Sequence, residues 1–403
     1  MKRVVITGSG AISALGYNTM EHYNSLMNGI CGIKTLEFKD SDSLSIKIGA
    51  MVGEYRADKF FSLRDLSFFD RYTQFAIIAA REAMSQSGFE INMKNSDKVG
   101  VIIGNSGGGL QTLDENYREV FKHQKKQLHP FIVPKLMANA ASSQLSIIFD
   151  VKGPSFTVSA ACASSNHAMG QAFKLIQTGQ LIAAITGGSE SMLCFGGIKA
   201  WEGLRIMSKE ACRPFCKNRD GMVQGEGAAI FIFENYQDAK KRGANILAEV
   251  AGFSMTSDAI DIVNPSKKGA ARAMIGALKD AKFNPEDVEY INAHGTGTLA
   301  NDKTECAAIK EVFKSHSNKL MISSTKSMHG HLIGGTGAVE LLGCLLALNK
   351  QIIAPTINFI KKDPDCDLDI VPNIARQKTV KCVLSNSFAF GGTNAVIALK
   401  RCP

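Results

Sequence analysis

The feature that most constrains this chain is a pattern it states twice. The first half runs through Val101-Ile-Ile-Gly-Asn-Ser-Gly-Gly-Gly109, Thr157-Val-Ser-Ala-Ala-Cys162, Ala184-Ile-Thr-Gly-Gly-Ser189 and Ala229-Ile-Phe-Ile-Phe-Glu234. The second runs through Tyr290-Ile-Asn-Ala-His-Gly-Thr-Gly-Thr298, Met321-Ile-Ser-Ser-Thr-Lys326, Val383-Leu-Ser-Asn-Ser-Phe-Ala-Phe-Gly-Gly-Thr393 and Ala395-Val-Ile-Ala-Leu-Lys400. Each half repeats an apolar strand followed by a polar loop, then closes with a plain strand. Nearly continuous apolar runs suit strands buried on both faces. Helix-like segments lie between them: Phe69–Ser87 before Gly88, Ser165–Thr178 before Gly179, Ala270–Ala281 and Thr304–Phe313. Strands alternating with helices give an α/β architecture. A duplication brings the polar loops to the junction of the halves, where open α/β sheets bind ligands. The halves are placed at residues 1–250 and 251–403, with no Pro/Gly/Ser linker between them and one compact unit expected.

Composition narrows the setting. The 403 residues are 45% hydrophobic and 21% charged, enough for a large core. The opening Met1-Lys-Arg-Val-Val-Ile-Thr-Gly8 has too short an apolar run for a signal peptide and reads as a first strand. No stretch has the apolar length of a membrane span, and a cytoplasmic protein is expected. The ten cysteines are scattered, which fits reduced and mostly buried thiols. Cys212 and Cys216 form a close pair, with no second pair to complete a zinc site. The formal charge of +9 is dispersed apart from small clusters such as Lys125-Lys126. It reads as a solvated surface or as a face for an acidic partner protein. Nucleic-acid motifs are missing, and Trp and Tyr are scarce for a base-stacking platform. Thr7-Gly-Ser-Gly10 lacks the third glycine and the downstream acid of a dinucleotide loop.

Chemistry concentrates in a few loops of small residues. Cys162 sits between an apolar run and a helical pattern starting near Ser164, so a helix end at the sulfur is expected to favour the thiolate. Ala160, Ala161 and Ala163 leave its approach uncrowded; the alternative is an inert core cysteine in a tight turn. His294 follows a buried strand in a loop of small residues, placed to donate from a neutral imidazole to a developing oxyanion. Lys326 and His331 repeat that logic in Ser323-Ser-Thr-Lys-Ser-Met-His-Gly-His331. The pair His329 and His331 lacks a third metal ligand nearby in sequence, so no metal site is expected. Phe390 before Gly391 and Gly392 marks backbone that moves or approaches a ligand closely, or a tight turn between the last strands.

Together these motifs resemble the β-ketoacyl-acyl-carrier-protein synthases of the thiolase superfamily. The nearest likeness is to β-ketoacyl synthase II of fatty acid synthesis and to the ketosynthase subunits of type II polyketide synthases. The resemblance runs end to end, through Ala161-Cys162-Ala-Ser, Asn292-Ala-His294-Gly-Thr296-Gly-Thr298, Ser324-Thr-Lys326-Ser-Met with Gly330-His331-Leu, and Asn386-Ser-Phe with Phe390-Gly-Gly-Thr-Asn. It implies a thiolase-like fold, a duplicated five-layered αβαβα sandwich that forms a dimer. It also implies decarboxylative Claisen condensation. Cys162 would take an acyl group from an acyl carrier protein, with the amides of Cys162 and Phe390 as oxyanion hole. His294 and His331 would stabilise the enolate left when malonyl-carrier protein loses CO2. Lys326 would hold the loop and tune His331, Glu340 would support Lys326, Thr296 and Thr298 would be supporting residues, and Phe390 would be a mobile gate. No cofactor is implied beyond the carrier's phosphopantetheine.

Departures from the family pattern point to a reshaped acyl pocket: Gly107 replaces a bulky aliphatic residue, Trp201 a common Phe, and Ala389 the first glycine of the gate. Ser62–Phe69 lacks the family's basic docking cluster, leaving Lys125, Lys126 and Arg205 for the carrier protein. A specialised type II polyketide or polyene pathway is the expectation, with housekeeping fatty acid elongation as the alternative. A non-catalytic chain-length-factor-like subunit is the rival of another class, opposed by the intact Cys162, His294 and His331. The partner in the dimer is a second copy or such a subunit.

Overall fold

The computed structural model describes residues 1–402. Ten strands form one continuous sheet: β1 (Val4–Ser13), β2 (Val99–Gly104), β3 (Ser155–Val158), β4 (Ala183–Glu190), β5 (Gly227–Asn235), β6 (Ala248–Ser257), β7 (Tyr290–Asn292), β8 (Met321–Ser323), β9 (Cys382–Ala389) and β10 (Thr393–Lys400). Their spatial order is 3-2-4-5-1-6-10-9-7-8. The last five strands repeat the order of the first five, reversed across the seam where Val4–Ile6 pairs antiparallel with Ala248–Val250. Parallel pairing recurs at matching places, β2 with β3 and β4, β7 with β8 and β9. The duplication written in the sequence is therefore a duplication of topology. The expected division at residue 250 falls inside β6, so the topology separates the halves before Ala248.

Helices complete the layers. Helices α1 (Arg71–Ser87) and α3 (Ala140–Ile148) cover the outer face of the first half, and α6 (Lys267–Ala281) and α7 (Leu299–Phe313) that of the second. Helices α4 (Ser164–Gln177) and α8 (Thr336–Lys350) lie between the halves. Thr336–Leu348 of α8 is buried all round, as a middle layer requires. This is the five-layered αβαβα arrangement. Two further helices, α2 (Leu110–His123) and α5 (Phe195–Glu202) in chain order, lie to the side. The spacing that predicts a helix from Thr304 misses its first turn, because Asn301 and Asp302 are buried polar residues that break the apolar stripe. Among the described residues no helix is long and apolar enough to cross a membrane.

Two glycines let α4 settle on the sheet. A Cβ on Gly104 would lie 2.4 Å from the Ser165 amide nitrogen, and one on Gly188 would lie 1.9 Å from Ser165 Oγ. The helix that follows Cys162 therefore rests directly on β2 and β4. Gly104→Ala meets backbone that cannot yield, and should cost about 1–3 kcal/mol of stability in urea unfolding. An unchanged midpoint would show that the helix has room to spare.

Candidate active site

The turn between β3 and α4 aims Cys162 at the junction of the halves. Ala161 has φ +45°, a left-handed conformation costing a non-glycine residue about 1–2 kcal/mol. Hydroxyls hold it there: Ser106 Oγ and Ser164 Oγ both donate to the Ala161 carbonyl, at 2.8 and 2.7 Å. The sulfur is buried, and the amide N–H groups of Phe390 and Cys162 face it. Burial pushes the Cys162 thiol up to about 11; the Lys326 charge and these amides oppose the rise without reversing it. Helix α4 begins at Ser164, as the sequence predicts, and burial of the sulfur works against the thiolate that a helix end favours.

The second half supplies both imidazoles. His294 follows β7 in a loop whose shape is fixed by Glu305 of α7, which accepts the amide protons of His294 (2.9 Å) and Gly295 (2.8 Å). His331 owes its tautomer to strain. Ile333 has φ +47°, unusual for a β-branched residue, and so points its N–H at His331 Nδ1, 3.1 Å away. Since Nδ1 must accept, the Thr336 hydroxyl donates to it as well, at 2.7 Å. The ring proton is thereby placed on Nε2, which is buried without a partner among the described residues. The two rings stand 5.5 Å apart and nearly perpendicular. Burial, reinforced by the Lys326 charge, holds both imidazoles well below their usual range, so both are neutral.

Lys326 joins the two loops. Wholly buried, its Nζ donates to the His294 carbonyl and to Glu340 Oε1, both at 2.5 Å. Burial pushes Glu340 up to about 7 against the pull of Lys326.

One donor atom each of Cys162, His294 and His331 lie within 4.8 Å of one another, a spacing open to a soft metal. A metal at His331 Nε2 would need the lone pair there, whereas the Ile333 N–H keeps a proton on that atom. His329 turns away, its ring nitrogens held by the Gly330 carbonyl and Thr325 Oγ1. Cys216 Sγ accepts from the Ile360 and Lys361 amides. Asn292 Oδ1, Glu340 Oε2 and Asn386 Oδ1 are buried without partners among the described residues.

Cys162, His294 and His331 line a cavity of about 100 Å³ together with Thr296, Thr298, Trp201, Ala389 and Phe390. The hydroxyls of Thr296 and Thr298 lie 2.8 Å apart. Trp201 stacks on Phe390, ring centres 6.1 Å apart. Ala389 is extended at φ −113°, so its methyl adds no backbone strain, and Gly391 (+79°) and Gly392 (+68°) supply the left-handed turn. Arg205 stands exposed beside Ile206, which lines the same cavity. Lys125 and Lys126 lie apart from it at the end of α2, with Lys125 3.8 Å from Glu119. A larger open groove, of about 780 Å³ along α2, carries no cysteine or histidine.

Gly107 is a correction. It does not line the cavity, and its missing side chain opens no space: a Cβ there would lie 2.1 Å from Met192 Cε. Met192 fills the place that residue 107 vacates. Ser106, Glu190 and Glu305 were missed in the sequence. Glu190 directly follows Gly187-Gly-Ser189 at a strand end, a loop-start signal like that of His294. Burial pushes this carboxyl up to about 7, against four hydrogen-bond donors.

Residues 1–239 match the N-terminal domain of β-ketoacyl synthases and residues 247–360 the C-terminal domain. The chain belongs to the β-ketoacyl synthase family. It is 40% identical to nodulation protein E of Rhizobium sp. strain N33 and 39% identical to 3-oxoacyl-[acyl-carrier-protein] synthase 2 of Staphylococcus aureus strain COL. The first alignment covers 99% of both chains, the second 99% of this chain and 98% of the relative. A solved structure described as the ishigamide ketosynthase/chain length factor superposes with a TM-score of 0.94 at 32% identity, over 100% of each chain. This β-ketoacyl synthase is a condensing acyltransferase.

A thiol held near 11 should give alkylation of Cys162 by iodoacetamide that climbs roughly tenfold per pH unit from pH 7 to 9. A plateau beginning near pH 7 would contradict that burial effect. Gly107→Ile should cost about 1–3 kcal/mol by collision with Met192, and adding Met192→Ala should recover most of it. Purely additive effects in denaturant melts would show that the two positions do not share this space.

Proposed function

We propose that this β-ketoacyl synthase elongates acyl chains on an acyl carrier protein, with Cys162 as the carrier of the growing chain. Cys162 Sγ attacks the incoming thioester carbonyl, a C–S bond forms, and the carrier's thiol leaves with the proton. The amides of Cys162 and Phe390, which face the sulfur, stabilise the oxyanion. Malonyl-carrier protein then binds, its C–C bond to the carboxylate breaks, and CO2 departs. The electron pair passes to an enolate held by His331 Nε2–H and the His294 ring. The carbanion attacks the acyl carbonyl, and the Cys162 C–S bond breaks. No step is a net oxidation or reduction, so the reading calls for no redox cofactor. The observation that carries it is the neutral, correctly tautomeric His331 within 4.8 Å of the buried sulfur. Lys326 and Glu340 hold the histidine loops, Thr296 and Thr298 offer hydroxyls to the carrier's arm, and Phe390 with Trp201 gates the cavity.

The enzyme is a cytoplasmic dimer that pairs through β3, a sheet edge carrying the exposed Phe156. Arg205, at the cavity mouth, meets the carrier protein, with Lys125 and Lys126 as further basic contacts. The pathway is a specialised type II polyketide or polyene one. The Trp201–Phe390 stack supports it, as does likeness to the ishigamide ketosynthase. Likeness to the Staphylococcus aureus synthase favours a second reading, ordinary fatty acid elongation. Graded acyl-carrier substrates separate the two, since efficient elongation of long saturated chains supports the second. Light scattering on the chain purified alone, then with co-expressed neighbours, tests homodimer against heterodimer.

Cys162→Ala should leave a folded protein that intact-mass analysis finds unacylated; an acylated variant would remove the nucleophile. His331→Ala should keep acylation of Cys162 and lose malonyl decarboxylation by about 100-fold or more. Undiminished CO2 release would end its role as enolate donor.

A further inference from the structure

Glu190 has no part in the chemistry above, yet it sits where the two halves of the site meet. Its carboxylate is fully buried, and its acceptors are filled by amides rather than by a cation. Oε2 accepts the Ser106 N–H at 2.8 Å and the Gly334 N–H at 3.2 Å. Oε1 accepts the Asn105 side-chain amide at 2.9 Å and the Gly107 N–H at 3.2 Å. One oxygen thus bridges two loops that the sequence holds far apart.

Each loop leads straight to a reacting group. On one side, the Ser106 hydroxyl grips the Ala161 carbonyl and so sets the strained turn before Cys162. On the other, Gly334 follows Ile333, whose N–H holds the proton of His331 on Nε2. Ser165 Oγ of α4 also donates to the Gly334 carbonyl, a second tie across the same joint. The approach depends on glycine: a Cβ on Gly334 would lie 2.6 Å from the Ser106 nitrogen and 2.8 Å from Glu190 Oε2. Four donors converging on one side chain call for a group that only accepts. The carboxyl meets that need in its ionised form, which the four donors favour against burial, whereas a carboxamide would turn an N–H₂ toward at least one N–H.

We propose that Glu190 is a positioning residue that clamps the Cys162 turn to the His331 turn and fixes the sulfur-to-Nε2 separation on which condensation depends. The proposal rests on the roles given to Cys162 and His331 above. Acylation needs only the sulfur and its oxyanion amides, all on one side of the clamp or on the Phe390 loop. Condensation needs sulfur and imidazole in register, so the clamp acts on the second half-reaction.

The test uses the purified full chain with Glu190→Gln, Glu190→Asp and His331→Ala. Acyl transfer to Cys162 is followed by intact mass, and CO2 release and β-ketoacyl product are followed on pre-acylated enzyme. Circular dichroism checks folding. Glu190→Gln should acylate within about 3-fold of the parent but condense at least about 30-fold more slowly, in kcat rather than KM, as expected for a misplacement near 1 Å. Glu190→Asp keeps an acceptor-only group and should show the same split at smaller size; it carries the test where the Gln variant fails to fold. Equal losses in both half-reactions, or none in condensation, overturn the clamp. A loss in His331→Ala with none in the Glu190 variants overturns the clamp and leaves the function reading standing. No loss in His331→Ala overturns that reading, and the clamp with it.

Discussion

A single buried ammonium organises this site. Lys326 has no solvent, and a cation in such a place is tolerable only with a counter-charge and full hydrogen bonding. Glu340 provides the first and the His294 carbonyl part of the second. In binding both, the lysine ties the loop after β7 to α8. Its charge has a second effect, because it makes a further positive charge on either imidazole costly. The proposed condensation is served by neutral rings, since the charge that develops on the enolate is then met by fixed N–H dipoles.

Strained backbone stands beside both Cys162 and His331. Ala161 and Ile333 both occupy left-handed backbone without being glycine, one just before the sulfur and the other just after His331. Each distortion turns a particular group: the cysteine side chain in one case, the amide that reads His331 Nδ1 in the other. Neighbouring hydroxyls and Glu190 over-determine both turns, which is how such conformations persist.

Most of the architecture was legible in the chain because apolar runs and their following loops survive as pattern. Strand ends announced Cys162, His294 and Phe390, and all three line one cavity. What stayed hidden was pairing across space. Glu190 and Glu305 accept from backbone amides, and amides leave no trace in residue types. The exchange between Gly107 and Met192 joins positions 85 residues apart, so a missing side chain looked like an opening when another had filled it. Burial is hidden in the same way: the helix start beside Cys162 is visible in sequence, and the depth of its sulfur is not.

The mirrored topology also limits how this sheet can grow. Joining β1 to β6 consumes one edge of each half. At one outer margin, β8 is only three residues long, and its Ile322 amide is already bonded to the Asp369 carbonyl. The other margin, β3, is open. A sheet with one free edge can add one neighbour and then has no edge left to offer. Fusion of two similar halves therefore leaves a body that can close a two-fold pair but has no strand edge from which to extend a fibre.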